Sequence, residues 1–103
     1  MKGTQQTKER TMKAANTQLI EDINKTIAAV EAADFAYEAN PGYEEQGREN
    51  QEMVLINLRE ALEEAKKEDH ESAAWWVGEA ARCERRGGFD SVYTDALEGT
   101  YCD

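Results

Sequence analysis

Apolar residues recur along this chain at alternating intervals of three and four, the repeat that places side chains on one side of an α-helix. Ile20, Ile23, Ile27 and Val30 are the clearest run. Met12, Leu19 and Ala33 widen that stripe and Tyr37 continues it, while Glu21, Asp22, Lys25, Glu31 and Glu38 occupy the remaining surface. Neither glycine nor proline interrupts residues 11–39, so the pattern predicts a helix from about Thr11 to Ala39. Asp34 stands where a strict seven-residue repeat wants an apolar group. Two readings follow. Asp34 sets register in a helix pair, or the straight helix drifts off the repeat and turns Ala33 and Tyr37 to the core.

Asn40-Pro41-Gly42 closes this segment, because proline restricts the residue before it and glycine permits a reversal. A second helix is expected over Arg48 to Glu68, beginning between Glu44 and Glu49, with Leu55, Leu58, Leu62 and Ala65 as its stripe. Met53-Val54-Leu55-Ile56 is apolar around most of one turn, which predicts contact with more than one neighbour. Glu44, Glu45 and Glu49 near its start and Lys66-Lys67 near its end match the helix dipole. The pattern falters over Glu68 to Ser72, where Asp69 or Ser72 is placed to cap a third helix reaching about Arg86. One uninterrupted helix through this point is the alternative. Ala73, Trp76, Ala80 and Cys83 give the third helix its inner side, and Arg82, Arg85 and Arg86 precede a Gly87-Gly88 stop. In the tail, Phe89, Val92, Tyr93, Ala96 and Leu97 share one side of a short helix capped by Asp90 or Ser91 and ended by Gly99. The expected fold is all-α: a small bundle of three main helices plus a short C-terminal helix.

Composition supports this and constrains the partners. The chain is 40% hydrophobic and 33% charged, a charge content that raises the question of disorder, but sustained apolar periodicity answers it in favour of folding. The formal net charge of −10 is uneven. Lys2, Lys8, Arg10 and Lys13 against Glu9 make residues 1–10 and their border basic, read as a flexible N-terminal segment ahead of a single acidic domain over residues 11–103. An acidic body repels phosphates and anionic membranes, so neither direct nucleic-acid nor membrane binding is expected, and a protein partner with a basic surface is. No apolar run approaches the roughly 18 residues of a membrane span, and the N-terminus lacks the apolar core of a secretory signal. A cytoplasmic location follows as an expectation. Cys83 and Cys102 are then read as free thiols, with a disulfide that ties down the tail as the alternative.

Candidate chemistry is sparse. His70 is the sole histidine and sits in Glu68-Asp69-His70-Glu71 without a second well-spaced ligand, so it reads as a solvated junction residue and no metal is expected. Helical nucleoside-triphosphate pyrophosphatases hold magnesium with E-E-x-x-E followed by E-x-x-D. Here Glu44-Glu45 is followed by Glu49, one residue too far, and Glu31-x-x-Asp34 precedes it, so that pattern fails in spacing and order. There is no phosphate-binding glycine loop and no G-x-S-x-G elbow. Neither a catalytic role nor a cofactor is expected.

The pair Trp75-Trp76 stands out. Helical neighbours point about 100° apart. Trp76 shares its side with Ala73, Ala80 and Cys83, whereas Trp75 shares a polar side with Ser72, Glu79 and Arg82. Trp75 is therefore either an interface anchor or a residue covered by Phe89 or Tyr93 of the tail. With it, Glu60, Glu63, Glu64, Glu68, Asp69, Glu71 and Glu79 form the candidate partner-binding set. The expected function is a non-enzymatic acidic module that occupies a basic, nucleic-acid-binding surface of another protein. In size, acidity and helicity the chain resembles small phage-encoded inhibitors of host defence, including anti-CRISPR and DNA-mimic proteins. The likeness is of general type and assigns no residues. The alternative is a structural or adaptor protein that forms a homodimer through the apolar stripe of its first helix.

Overall fold

The computed structural model describes residues 2–86 and 92–102, with side chains from Asn16 onward. Among these residues every regular element is a helix: α1 (Lys2–Ala32), α2 (Phe35–Glu38), α3 (Glu44–Lys66), α4 (His70–Arg86) and α5 (Asp95–Tyr101). α3 is central. It packs against both α1 and α4, α2 also rests on it, and α5 bridges α4 and α1. The core joins Leu19, Ile23, Ile27 and Val30 of α1 to Val54, Leu58, Ala61 and Ala65 of α3, and to Ala73, Val77, Ala80 and Cys83 of α4. Phe35 of α2 and Leu97 of α5 join the same core. This is the expected three-helix bundle with a short C-terminal helix.

The first helix ends earlier than its glycine-free sequence suggests. α1 stops at Ala32, and Asp34 is an N-cap whose Oδ1 accepts from the Tyr37 backbone N–H at 3.1 Å. That cap starts the single turn of α2, which sends Phe35 inward and leaves Tyr37 87% exposed. Asp34 thus neither sets register nor marks a drifting helix, and Tyr37 is not a core residue. Gln51 of α3 holds the corner: its Nε2 donates to the carbonyls of Val30 and Ala33, both at 2.8 Å, and its Oε1 accepts from Phe35 N–H at 3.1 Å. One amide side chain thereby serves backbone groups at the end of one helix and the start of the next.

The reversal at residues 40–43 uses Gly42 at φ 95°, a conformation that glycine adopts without steric cost. α3 then begins at Glu44, within the expected interval. The junction after α3 is a true break. Glu68 N–H donates to Ala65 O and Asp69 N–H to Glu64 O, both at 3.0 Å, the paired bonds of a Schellman cap, with Glu68 left-handed at φ 63°. Asp69 caps α4 by accepting from Ser72 N–H at 3.0 Å and Ser72 Oγ–H at 2.9 Å.

Within α4 the inner side is Ala73, Val77, Ala80, Ala81, Cys83 and Glu84, and Trp76 is only partly buried beside it. In the tail, Thr94 and not Asp90 or Ser91 occupies the N-cap position of α5, and Gly99 lies inside the helix. Asp90, Ser91, Phe89 and the Gly87-Gly88 stop lie outside the described residues. Leu97 is buried and Tyr93 half-buried, whereas Val92 and Ala96 are exposed.

Candidate protein-binding surface

The buried face of α4 decides where Trp75 points. Trp75 lies two residues after Ala73 and two before Val77, about 200° around the helix from each, and both of those are fully buried. It therefore projects outward and is 58% exposed. Its ring meets Trp76 edge-on, with centroids 5.0 Å apart and planes at 88°. That contact orients the outer indole against a partly buried one. Tyr93 does not cover it, because its ring stacks on Phe35 at 5.4 Å and 21°.

The candidate carboxylates fall into three groups. Glu60, Glu63 and Glu64 lie on α3, with Glu63 paired to Lys66 at 3.6 Å and Glu64 to Lys67 at 3.5 Å. Both pairs are exposed enough to be screened and weak. Glu68, Asp69 and Glu71 gather at the α3–α4 turn. Asp69 is committed to capping: the backbone N–H and then the hydroxyl of Ser72 hold its carboxyl below the ordinary range. Glu79 sits one turn from Trp75 and accepts from Arg82 at 2.6 Å. His70 is the first residue of α4, partly exposed at the polar junction.

A second exposed feature was missed from the sequence. Met53 is 46% and Ile56 43% exposed on the side of α3 opposite its buried positions Val54, Leu58, Ala61 and Ala65. Glu49, Met53, Ile56, Glu60 and Glu63 succeed one another at intervals of four, three, four and three. The signal was present in Met53-Val54-Leu55-Ile56, since four consecutive helical positions cannot all face inward. Only Val54 of the four is fully buried. Beside Met53 an open cleft of about 540 Å³ is bordered by Tyr43, Glu45, Glu49, Asn50 and Arg86.

Carboxylates also hold the C-terminal segment in place. Glu84, 1% exposed, accepts from Tyr93 N–H at 3.1 Å, Thr94 N–H at 3.0 Å and Thr94 Oγ–H at 2.7 Å. Tyr101 Oη–H donates to Asp22 at 2.6 Å and Tyr93 Oη–H to Glu38 at 2.7 Å. Arg85 forks onto Glu98 at 2.7 and 3.1 Å. The two cysteines are not joined in a disulfide: Cys83 accepts from Asn57 Nδ2 at 3.1 Å and Cys102 donates to Ala74 O at 3.1 Å.

Among the described residues, no group of three His, Cys, Asp or Glu side chains is arranged to hold a metal ion. No described helix is long and apolar enough to cross a membrane. No family model, characterised protein or solved structure matches this chain.

Proposed function

We propose that this protein is a non-enzymatic acidic binding module that occupies a basic, nucleic-acid-binding surface of another protein and so inhibits it. The observation that carries the reading is Trp75, a large indole held outward on α4 with Glu71 one turn before it and Glu79, paired to Arg82, one turn after. Exposing a tryptophan forfeits the stabilisation its burial would give, and such residues are enriched where binding energy concentrates. The charge of −10 supplies attraction to a basic surface and repulsion from nucleic acid itself. Ordered carboxylates on rigid helices present that charge without first having to be organised.

The homodimer reading relied on the apolar stripe of α1. Leu19, Ile23, Ile27 and Val30 of that stripe are buried within the chain itself.

The test is affinity capture from nuclease-treated extract of the source cells at about 50 and about 300 mM salt, with the two salts chosen on either side of effective screening. Tagged wild type is compared with Trp75→Ala and with the triple change Glu60→Gln, Glu63→Gln, Glu64→Gln. A nucleic-acid-binding protein held at low salt, shed at higher salt and lost by Trp75→Ala is the expected result. Adding the acidic protein should then displace nucleic acid from the captured one. Recovery of the chain alone at both salts overturns the proposal in favour of self-association.

A further inference from the structure

The outward side of α3 is a helical seam left open. Glu49, Met53, Ile56, Glu60 and Glu63 span fourteen helical steps, about 21 Å, at the alternating four-three spacing through which helices pair. Its two central positions are apolar and about half exposed, and its flanking positions are glutamates, of which Glu63 is also paired with Lys66 at 3.6 Å across an exposed, screened contact. The core-facing positions Val54, Leu58, Ala61 and Ala65 lie on the other side of the same helix, so the seam lies outside the buried core, with Met53 bordering an open cleft that Arg86 of α4 also lines.

We infer that this seam docks one amphipathic, basic helix of a partner protein, with apolar residues over Met53 and Ile56 and lysine or arginine opposite Glu49, Glu60 and Glu63. The shape argument is that a straight row at four-three spacing is complemented by another helix. The charge argument selects which helix. In an antiparallel second copy centred on Met53 and Ile56, Glu49 would oppose Glu60, and in a parallel copy each glutamate would oppose itself, so self-pairing here is repulsive. A basic helix reverses the sign of every flanking contact. The cleft beside Met53, bordered by Tyr43, Glu45, Glu49, Asn50 and Arg86, gives one partner side chain a place to enter. This inference deepens the reading of the protein as an acidic binding module, but on a different helix from Trp75.

The experiment titrates the full chain with a synthetic helical peptide of about 20 residues, a length that covers the seam. The peptide carries Leu at two consecutive seam positions and Lys at the seam positions on either side; a second peptide has Glu for each Lys. Binding is followed by isothermal titration calorimetry, and the contact by amide shifts along Glu45–Glu63. The Lys peptide is expected to bind and the Glu peptide not. Met53→Ser with Ile56→Ser, and separately Glu49→Gln with Glu60→Gln and Glu63→Gln, should each weaken binding at least about tenfold at low salt, with circular dichroism unchanged. Trp75→Ala should leave it intact. Absence of binding, equal binding by the α3 variants, or loss with Trp75→Ala alone each overturns the assignment. The two proposals fail separately: a natural partner lost by Trp75→Ala but retained by every α3 variant removes the seam and leaves the module.

Discussion

At the scale of single residues, close approach and burial outweigh intrinsic preference. Gly47 lies in the first half of α3, where alanine would ordinarily favour helix. A Cβ there would fall 2.6 Å from the Phe35 carbonyl oxygen, which is backbone and cannot swing aside. Gly47→Ala is therefore expected to destabilise the fold by about 1–3 kcal/mol despite its higher helix propensity, measurable by urea denaturation. Nothing in the sequence around Gly47 announces this, because the crowding atom arrives from α2. Tyr101 offers a test by pH. Burial first, and the bond to Asp22 second, push its phenol up to about 12. Asp22 is held below the ordinary carboxylate range by Tyr101 and then by Gln18. A raised native value stabilises fully below the unfolded value near 10 and is lost as pH rises through about 12. The lowered carboxyl works in the opposite direction, stabilising above its unfolded value near 3.8 and failing as pH falls below that. Docking of the C-terminal segment should weaken at both extremes. Phenolate absorbance should show a group titrating near 12 that Tyr101→Phe removes.

At the scale of elements, the ends of helices are decided by caps, and some caps are legible. Asp69 was readable because a short acidic side chain preceded a new apolar period. Asp34 was not, because the apolar spacing runs on through it to Tyr37 and imitates a continuing helix. The left-handed residue at the α3–α4 turn is Glu68, where glycine is the usual occupant. Glu68→Gly should raise stability by up to about 1 kcal/mol, through relief of its Cβ strain. An unchanged or lower thermal midpoint would refute that account of the turn. α5 depends on a residue outside itself. Glu84→Ala strips the acceptor from Tyr93 N–H, Thr94 N–H and Thr94 Oγ–H, and should cost at least about 2 kcal/mol. Hydrogen exchange should show it as lost protection over residues 93–101 before the rest of the molecule opens. From sequence, Glu84 was one acidic residue among many. Its burial follows only from the return of the tail over α4.

For the whole molecule, an acidic coat surrounds a core built largely from small side chains, and the exposed large ones stand apart from it. Trp75→Ala should leave helical content and unfolding cooperativity intact, yet weaken partner binding by at least about 2 kcal/mol. If the protein instead unfolds, the indole contributes to the core through Trp76. The outward direction of Trp75 was readable from its polar companions Ser72, Glu79 and Arg82. Its exposure was not, because whether Tyr93 covered it depended on where Phe35 lay. Local periodicity, proline, glycine and capping chemistry determined the class of fold and offered a break near Asp69 beside one uninterrupted helix, since each acts within a few residues, and composition determined the acidic character of the chain. Only the tertiary structure decided that α3 is central, that Phe35 replaces Tyr37 in the core, that Glu84 anchors the tail, and that Met53 and Ile56 remain outside. Those outcomes depend on which helix flank meets which neighbour, a relation between residues far apart in the chain.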